Sequence, residues 1–126
     1  MFDELKSQID QRGSLVQEKD FLSSLSKKEQ DQHHFYFLLV VGDPFERIKE
    51  DEDFHHSWTT DAKKAEIIRE ALQRLHEEID ENRLFSEKEI LAMFDKHVSD
   101  VLKDKMEDEI LLSLLKVSRL VSSNAL

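Results

Sequence analysis

Two pairs of adjacent histidines, His33-His34 and His55-His56, each stand three residues after an acid: Asp31 before His34, Glu52 before His55 and Asp53 before His56. On a helix, positions i and i+3 share a face, so a carboxylate and an imidazole at that spacing can bind one ion together. Two such pairs on facing helices form half of a ferritin-like di-iron arrangement, which needs one further inward Glu from each of two other helices. Asp31, His34, Glu52 and His55 are therefore the candidate metal ligands, and a divalent metal at that quartet is the one cofactor to consider. The competing account is a packed or solvated histidine cluster, because Phe35, Tyr36, Phe54 and Trp58 flank the pairs and the two extra glutamates cannot be identified.

The second constellation is a run of carboxylates, Glu77-Glu78-Ile79-Asp80-Glu81. It resembles the first metal-binding motif of the all-α nucleotide pyrophosphohydrolases, a resemblance confined to these five residues. That likeness implies magnesium held by carboxylates of two helices beside a nucleoside triphosphate. The family's second motif, E-x-x-D on the next helix, is absent, and the nearest substitute, Asp104-x-x-Glu107, has its acids reversed. Helical projection also turns Glu77, Glu78 and Glu81 away from the apolar seam of their helix, where solvated charges belong.

Other chemistries have no residues to work with. The chain has no cysteine, which removes thiolate nucleophiles, thiolate metal sites and disulfides. No nucleophile elbow, phosphate-cradling glycine loop or H-E-x-x-H motif occurs, so covalent catalysis and P-loop chemistry are unsupported.

The charge itself is a clue. The chain has 28 acidic and 18 basic side chains, a formal net charge of −10. The excess lies in three segments: 46–53 with five acids against two bases, 76–89 with six against two, and 100–109 with five against two. Such segments repel nucleic acid phosphates and anionic lipid headgroups and attract basic proteins. Direct nucleic-acid and membrane binding are thus disfavoured, and a basic protein partner is expected. Glu77, Glu78, Glu81, Asp104, Glu107 and Asp108 are the candidate partner-binding residues. A face of this kind also serves solubility alone.

The elements that position these residues follow from spacing and punctuation. Two glycines and one proline in 126 residues leave little for tight β-turns, and the Leu/Glu/Lys-rich remainder suits helices. We expect one all-α domain over 1–126, a compact bundle of six to seven short helices. Phe2, Leu5 and Ile9 recur at helical spacing up to Gly13, which fits a left-handed C′ position. Ser14 with Gln17, Ser26 with Glu29 and Ser86 with Glu89 have the form of capping boxes. Gly42-Asp43-Pro44-Phe45-Glu46 predicts a helix stop followed by a new helix with proline at its first position. Thr59-Thr60 should open a helix from about Asp61 to Asn82, with Ala65, Ile68, Leu72, Leu75 and Ile79 as its buried seam. Residues 34–41 are apolar without clear period, so helix and buried strand both remain open.

No glycine or proline follows Ser86, yet one helix over 87–122 would be about 54 Å long. A break near Asp104–Glu107 fits a chain of this size better. Beyond it, Ile110, Leu111, Leu112, Leu114, Leu115, Val117, Leu120 and Val121 cover nearly the whole helical circumference. That helix requires a central position or a second copy of the chain, and a homodimer through it is the expectation. The longest apolar run, Phe35 to Val41, is far short of the roughly 20 residues a spanning helix needs. The N-terminus lacks a secretory signal, so a cytoplasmic location is expected. The functional reading is a non-catalytic acidic interaction module of the inhibitor, immunity, antitoxin or adaptor type. The alternative is a metal-dependent all-α enzyme or metal-binding bundle using the Asp/Glu-x-x-His pairs or Glu77–Glu81.

Overall fold

A computed structural model describes residues 2–79, 84–103 and 106–120. Six short helices form a bundle: α1 (Phe2–Gln11), α2 (Glu18–Leu25), α3 (Glu29–Val41), α4 (Ala62–Glu78), α5 (Glu87–Leu102) and α6 (Asp108–Leu115). Residues 34–41 are thereby helical. No helix among the described residues is long and apolar enough to cross a membrane.

The sequence gives no strand signal at residues 15–17, 46–48 or 57–59, but the bundle holds a small sheet there. Its strands β1 (Leu15–Gln17), β2 (Glu46–Ile48) and β3 (Ser57–Thr59) are ordered β1-β3-β2 and antiparallel throughout. Trp58 pairs with Val16 on one side and Arg47 on the other. Side chains alternate across a strand, and here the alternation divides the core. Leu15 is buried with α4, α5 and α6, while its neighbour Val16 is buried with α1, α2 and α3. Ile48 packs toward the first cluster, and Phe45 and Trp58 belong to the second. The sheet is thus a partition between two helical layers. It needs no hairpin glycine, because β2 and β3 are joined by the loop 49–56 and β1 comes from elsewhere in the chain.

Punctuation worked where it was local. α1 ends in a Schellman motif: the Ser14 amide donates to the Ile9 carbonyl at 3.0 Å and the Gly13 amide to the Asp10 carbonyl at 3.1 Å, with Gly13 at φ 95°. The Ser86–Glu89 capping box is present in both directions, and Asp61 caps α4. Ala65, Ile68, Leu72 and Leu75 are buried along α4 as the seam required. α5 stops at Leu102, with Lys103 in the left-handed conformation, and α6 starts at Asp108. The chain therefore does break between the last two helices.

Three boundaries differ from expectation. Gln17, not Ser14, caps α2, because Leu15–Gln17 is drawn into the sheet. Ser26 sits outside α3, whose N-cap is Lys28, and its hydroxyl donates to Asp31 instead. Pro44 opens no helix. Phe45 turns back onto Gly42, where a Cβ would lie 2.6 Å from its ring, and the chain continues as β2. Burial of Phe45 overrides the local helix-start signal.

Candidate functional site

The structure does not assemble the histidine quartet. Asp31 accepts the Ser26 hydroxyl, and His34 is exposed on α3. Residues 51–56 are not helical, so the premise that placed Glu52 and His55 on one face fails. His55 has its Nδ1 3.5 Å from Glu50, its backbone amide donates to the Val117 carbonyl, and Glu52 is exposed. Among the described residues, no three His, Asp or Glu side chains converge to hold a metal ion.

The three acidic segments have different fates. In 46–53, Asp51 and Asp53 are part-buried struts. The Arg69 guanidinium, 17% exposed, donates from Nη1 to Asp51 at 2.9 Å and to Asp53 at 2.8 Å while lying 4.3 Å over the Phe54 ring. Gln73 adds a donor to Asp53 at 3.0 Å, and Asp51 also accepts the backbone amides of Asp53 and Phe54. Partial burial by itself raises the Asp51 pKa, but those amides and Arg69 outweigh it and hold the carboxyl below its ordinary range. Burial likewise opposes the charge on Arg69, and the two carboxylates more than restore it. This knot also holds the C-terminal segment, since the Arg119 amide donates to the Asp53 carbonyl at 2.8 Å and its side chain to the Asp51 carbonyl at 2.6 Å. The segment's Arg47 is part-buried too. It makes a two-pronged pair with Glu18 at 3.0 and 3.2 Å, and the Trp58 indole donates to the same carboxylate at 2.9 Å.

In 76–89, Glu77 is exposed and makes no ion pair among the described residues, whereas Glu78 reaches His97 of α5 at 2.9 Å. Glu81 lies outside the described residues, as does Asp104. The carboxylate run thus meets no second set of acids among the described residues. In 100–109, Glu107 is the N-cap residue of α6 without a side-chain cap bond, and Asp108 and Glu109 form its first turn. All three are exposed and form no ion pair among the described residues.

Glu107 and Glu109 rim a groove of about 540 Å³ where α6 passes the end of α1 and one side of α2. Ile110 and Leu112 supply its apolar lining, Glu107, Glu109 and Asp20 its acids, and Arg12 and Lys116 its bases. The sequence dictates how it forms. Gly13 has no side chain, so α6 packs against the backbone, and an added Cβ would meet Ile110 and Leu114 at 3.1 Å. Arg12 is already engaged, 3.7 Å from Asp20 and 5.4 Å over the Phe21 ring. The Gln17 side chain ties the far wall by donating to the Lys116 carbonyl at 3.3 Å. Of the groove's residues, only Glu107 was singled out from the sequence as a site residue, by charge clustering. Sequence reasoning missed Arg12, Asp20 and Lys116, which carry no motif and meet only through the fold. Comparison of the chain with protein-family models, with curated proteins and with solved structures returns no match, so the functional reading rests on this geometry.

Proposed function

We propose that the protein is a non-catalytic interaction module that binds a basic partner protein through the α6 end of its acidic surface. The observation that supports this most is the contrast between acids. Asp51 and Asp53 are paired with Arg69, whereas Glu107 and Glu109 stand exposed on the rim of a mostly polar groove into which Ile110 and Leu112 also face, with Asp108 exposed between them in sequence. A polar groove with two apolar side chains and a charged rim suits a protein partner: burial of Ile110 and Leu112 adds affinity, and the charges steer the encounter. A homodimer through the C-terminal helix has lost its support, because Leu111, Leu114, Leu115 and Val117 are buried within one chain.

A test needs no identified partner. A short Lys/Leu-alternating peptide, titrated into isotope-labelled protein, should shift amide signals of 107–113, Arg12, Asp20 and Lys116. Those shifts should fade as salt rises, because exposed charges are screened beyond about 8 Å at physiological ionic strength. The triple variant Glu107→Lys, Asp108→Lys, Glu109→Lys should abolish them and leave the rest of the spectrum in place. Shifts spread evenly over every exposed acid, with no preference for the groove, would refute a built site.

A further inference from the structure

We propose that α3 is a self-association surface on which a second copy of the chain packs antiparallel about a two-fold axis. Phe37, Val40 and Val41 are 60%, 54% and 50% exposed, half of the exposed large apolar side chains among the described residues. Their spacing of i, i+3 and i+4 puts them on one face. Gln30, His33 and His34, all exposed, extend that face toward the start of the helix. Leu39 is buried on the other side. Phe2, 39% exposed, widens the patch at its far end, since its ring lies 6.3 Å from Phe45, which packs against Gly42.

Charge identifies the occupant. In a chain where 37% of residues are charged, no Asp, Glu, Lys or Arg occurs from Gln32 to Gly42. Two copies with net charge −10 each repel one another when carboxylates come face to face, and this face brings none together. Its ends are complementary. Lys27 and Lys28 are exposed before the helix, and Asp43 and Glu46 are exposed after it. Antiparallel apposition sets the lysines of each copy beside the acids of the other, twice over, as an isologous interface requires. Of the first-turn acids, Asp31 accepts the Ser26 hydroxyl, and Glu29, exposed, stands 3.9 Å from the exposed His33 at the margin of the face. The lack of basic residues on the face argues against a lipid surface, which anionic headgroups would make repulsive to this chain.

The size fits a weak dimer. The three exposed side chains present on the order of 300 Å² per copy, against about 800 Å² per partner in a stable interface, so the polar and charged rim must supply the rest.

Sedimentation equilibrium between about 10 and 200 μM should show a monomer–dimer equilibrium. Phe37→Glu should raise the dissociation constant roughly tenfold or more. Val40→Glu should do so as well, and unchanged circular dichroism in either variant excludes unfolding as the cause. Lys28→Glu and Asp43→Lys should each weaken the dimer at low salt, and the two together should restore it, because the swap rebuilds both cross-pairs. A wild type monomeric throughout the range overturns the proposal. So does a dimer indifferent to Phe37→Glu, which would place the contact elsewhere, and failure of the charge swap overturns the antiparallel arrangement.

Discussion

The second half of α3, Phe35–Val41, and α6 are the two helical stretches richest in apolar residues around their circumference, and they end in opposite situations. α6 lies against α5 and β1, and Leu111, Leu114 and Leu115 are buried in the larger core cluster. The chain after it is sealed as well: Val117 is buried, its carbonyl accepts the His55 amide, and Phe54 bridges to Ser118. α3 buries Leu39, half-buries Phe35, Tyr36 and Leu38, and leaves Phe37, Val40 and Val41 in solvent. Composition therefore announces that an apolar helix needs cover without saying which one the fold itself covers. What decides here is the loop 49–56, which the Arg69 knot presses over the end of α6. Among the described residues, nothing comparable reaches the outer face of α3.

That contrast can be broken from the α6 side first. Leu114→Ala should cost about 2–5 kcal/mol, seen as a large drop in the denaturant midpoint, because it opens a cavity in a fully buried position. Arg69→Met should cost about 2–3 kcal/mol, since it leaves Asp51 and Asp53 facing each other over a loop that no longer seals the C-terminal segment. Gly13→Ala should cost about 1–3 kcal/mol in the same assay. It forces a side chain into φ 95° and pushes on Ile110 and Leu114.

Acid sharpens the same point. For Asp10, burial raises the pKa, but hydrogen bonds from Lys6, Thr60 and Ser14 outweigh it and lower the net value, and Asp51 is lowered in the knot. A carboxyl whose folded pKa is depressed stabilises the fold above its unfolded value, and that contribution is lost as pH falls through the folded one. Stability should therefore decline below about pH 4, the ordinary carboxyl range. Asp51→Asn should flatten that decline in unfolding curves taken across the range. The smallest effect belongs to α3: Phe37→Glu should change monomer stability by no more than about 0.5 kcal/mol, because the side chain is mostly solvated already.

Much of this molecule was legible because its signals were local. The α4 seam, the Ser86–Glu89 box and the Gly13 stop each depend on residues within a turn or two of one another. The sheet was not legible. Its strands are three residues long, and Val16 and Trp58 meet only in the fold. Pro44 misled because its cap pattern was sound in isolation, while Phe45 had a better position against Gly42 and Phe2. The carboxylate-x-x-His spacing at 52–55 assumed a helix where the chain turns around Asp51. Charge clustering singled out Glu107 and Asp108, both exposed, but gave no warning that Asp51 and Asp53 would be taken up by Arg69, a partner on a different element.

Hydrogen exchange measured at several protein concentrations addresses the difference between the two helices directly. A surface covered by a second copy gains protection by mass action, whereas one covered within the chain does not. Amides of 33–41 should exchange more slowly as concentration rises, and those of 108–117 should keep one rate throughout. Protection that grows with concentration at 108–117 and stays constant at 33–41 would contradict the account.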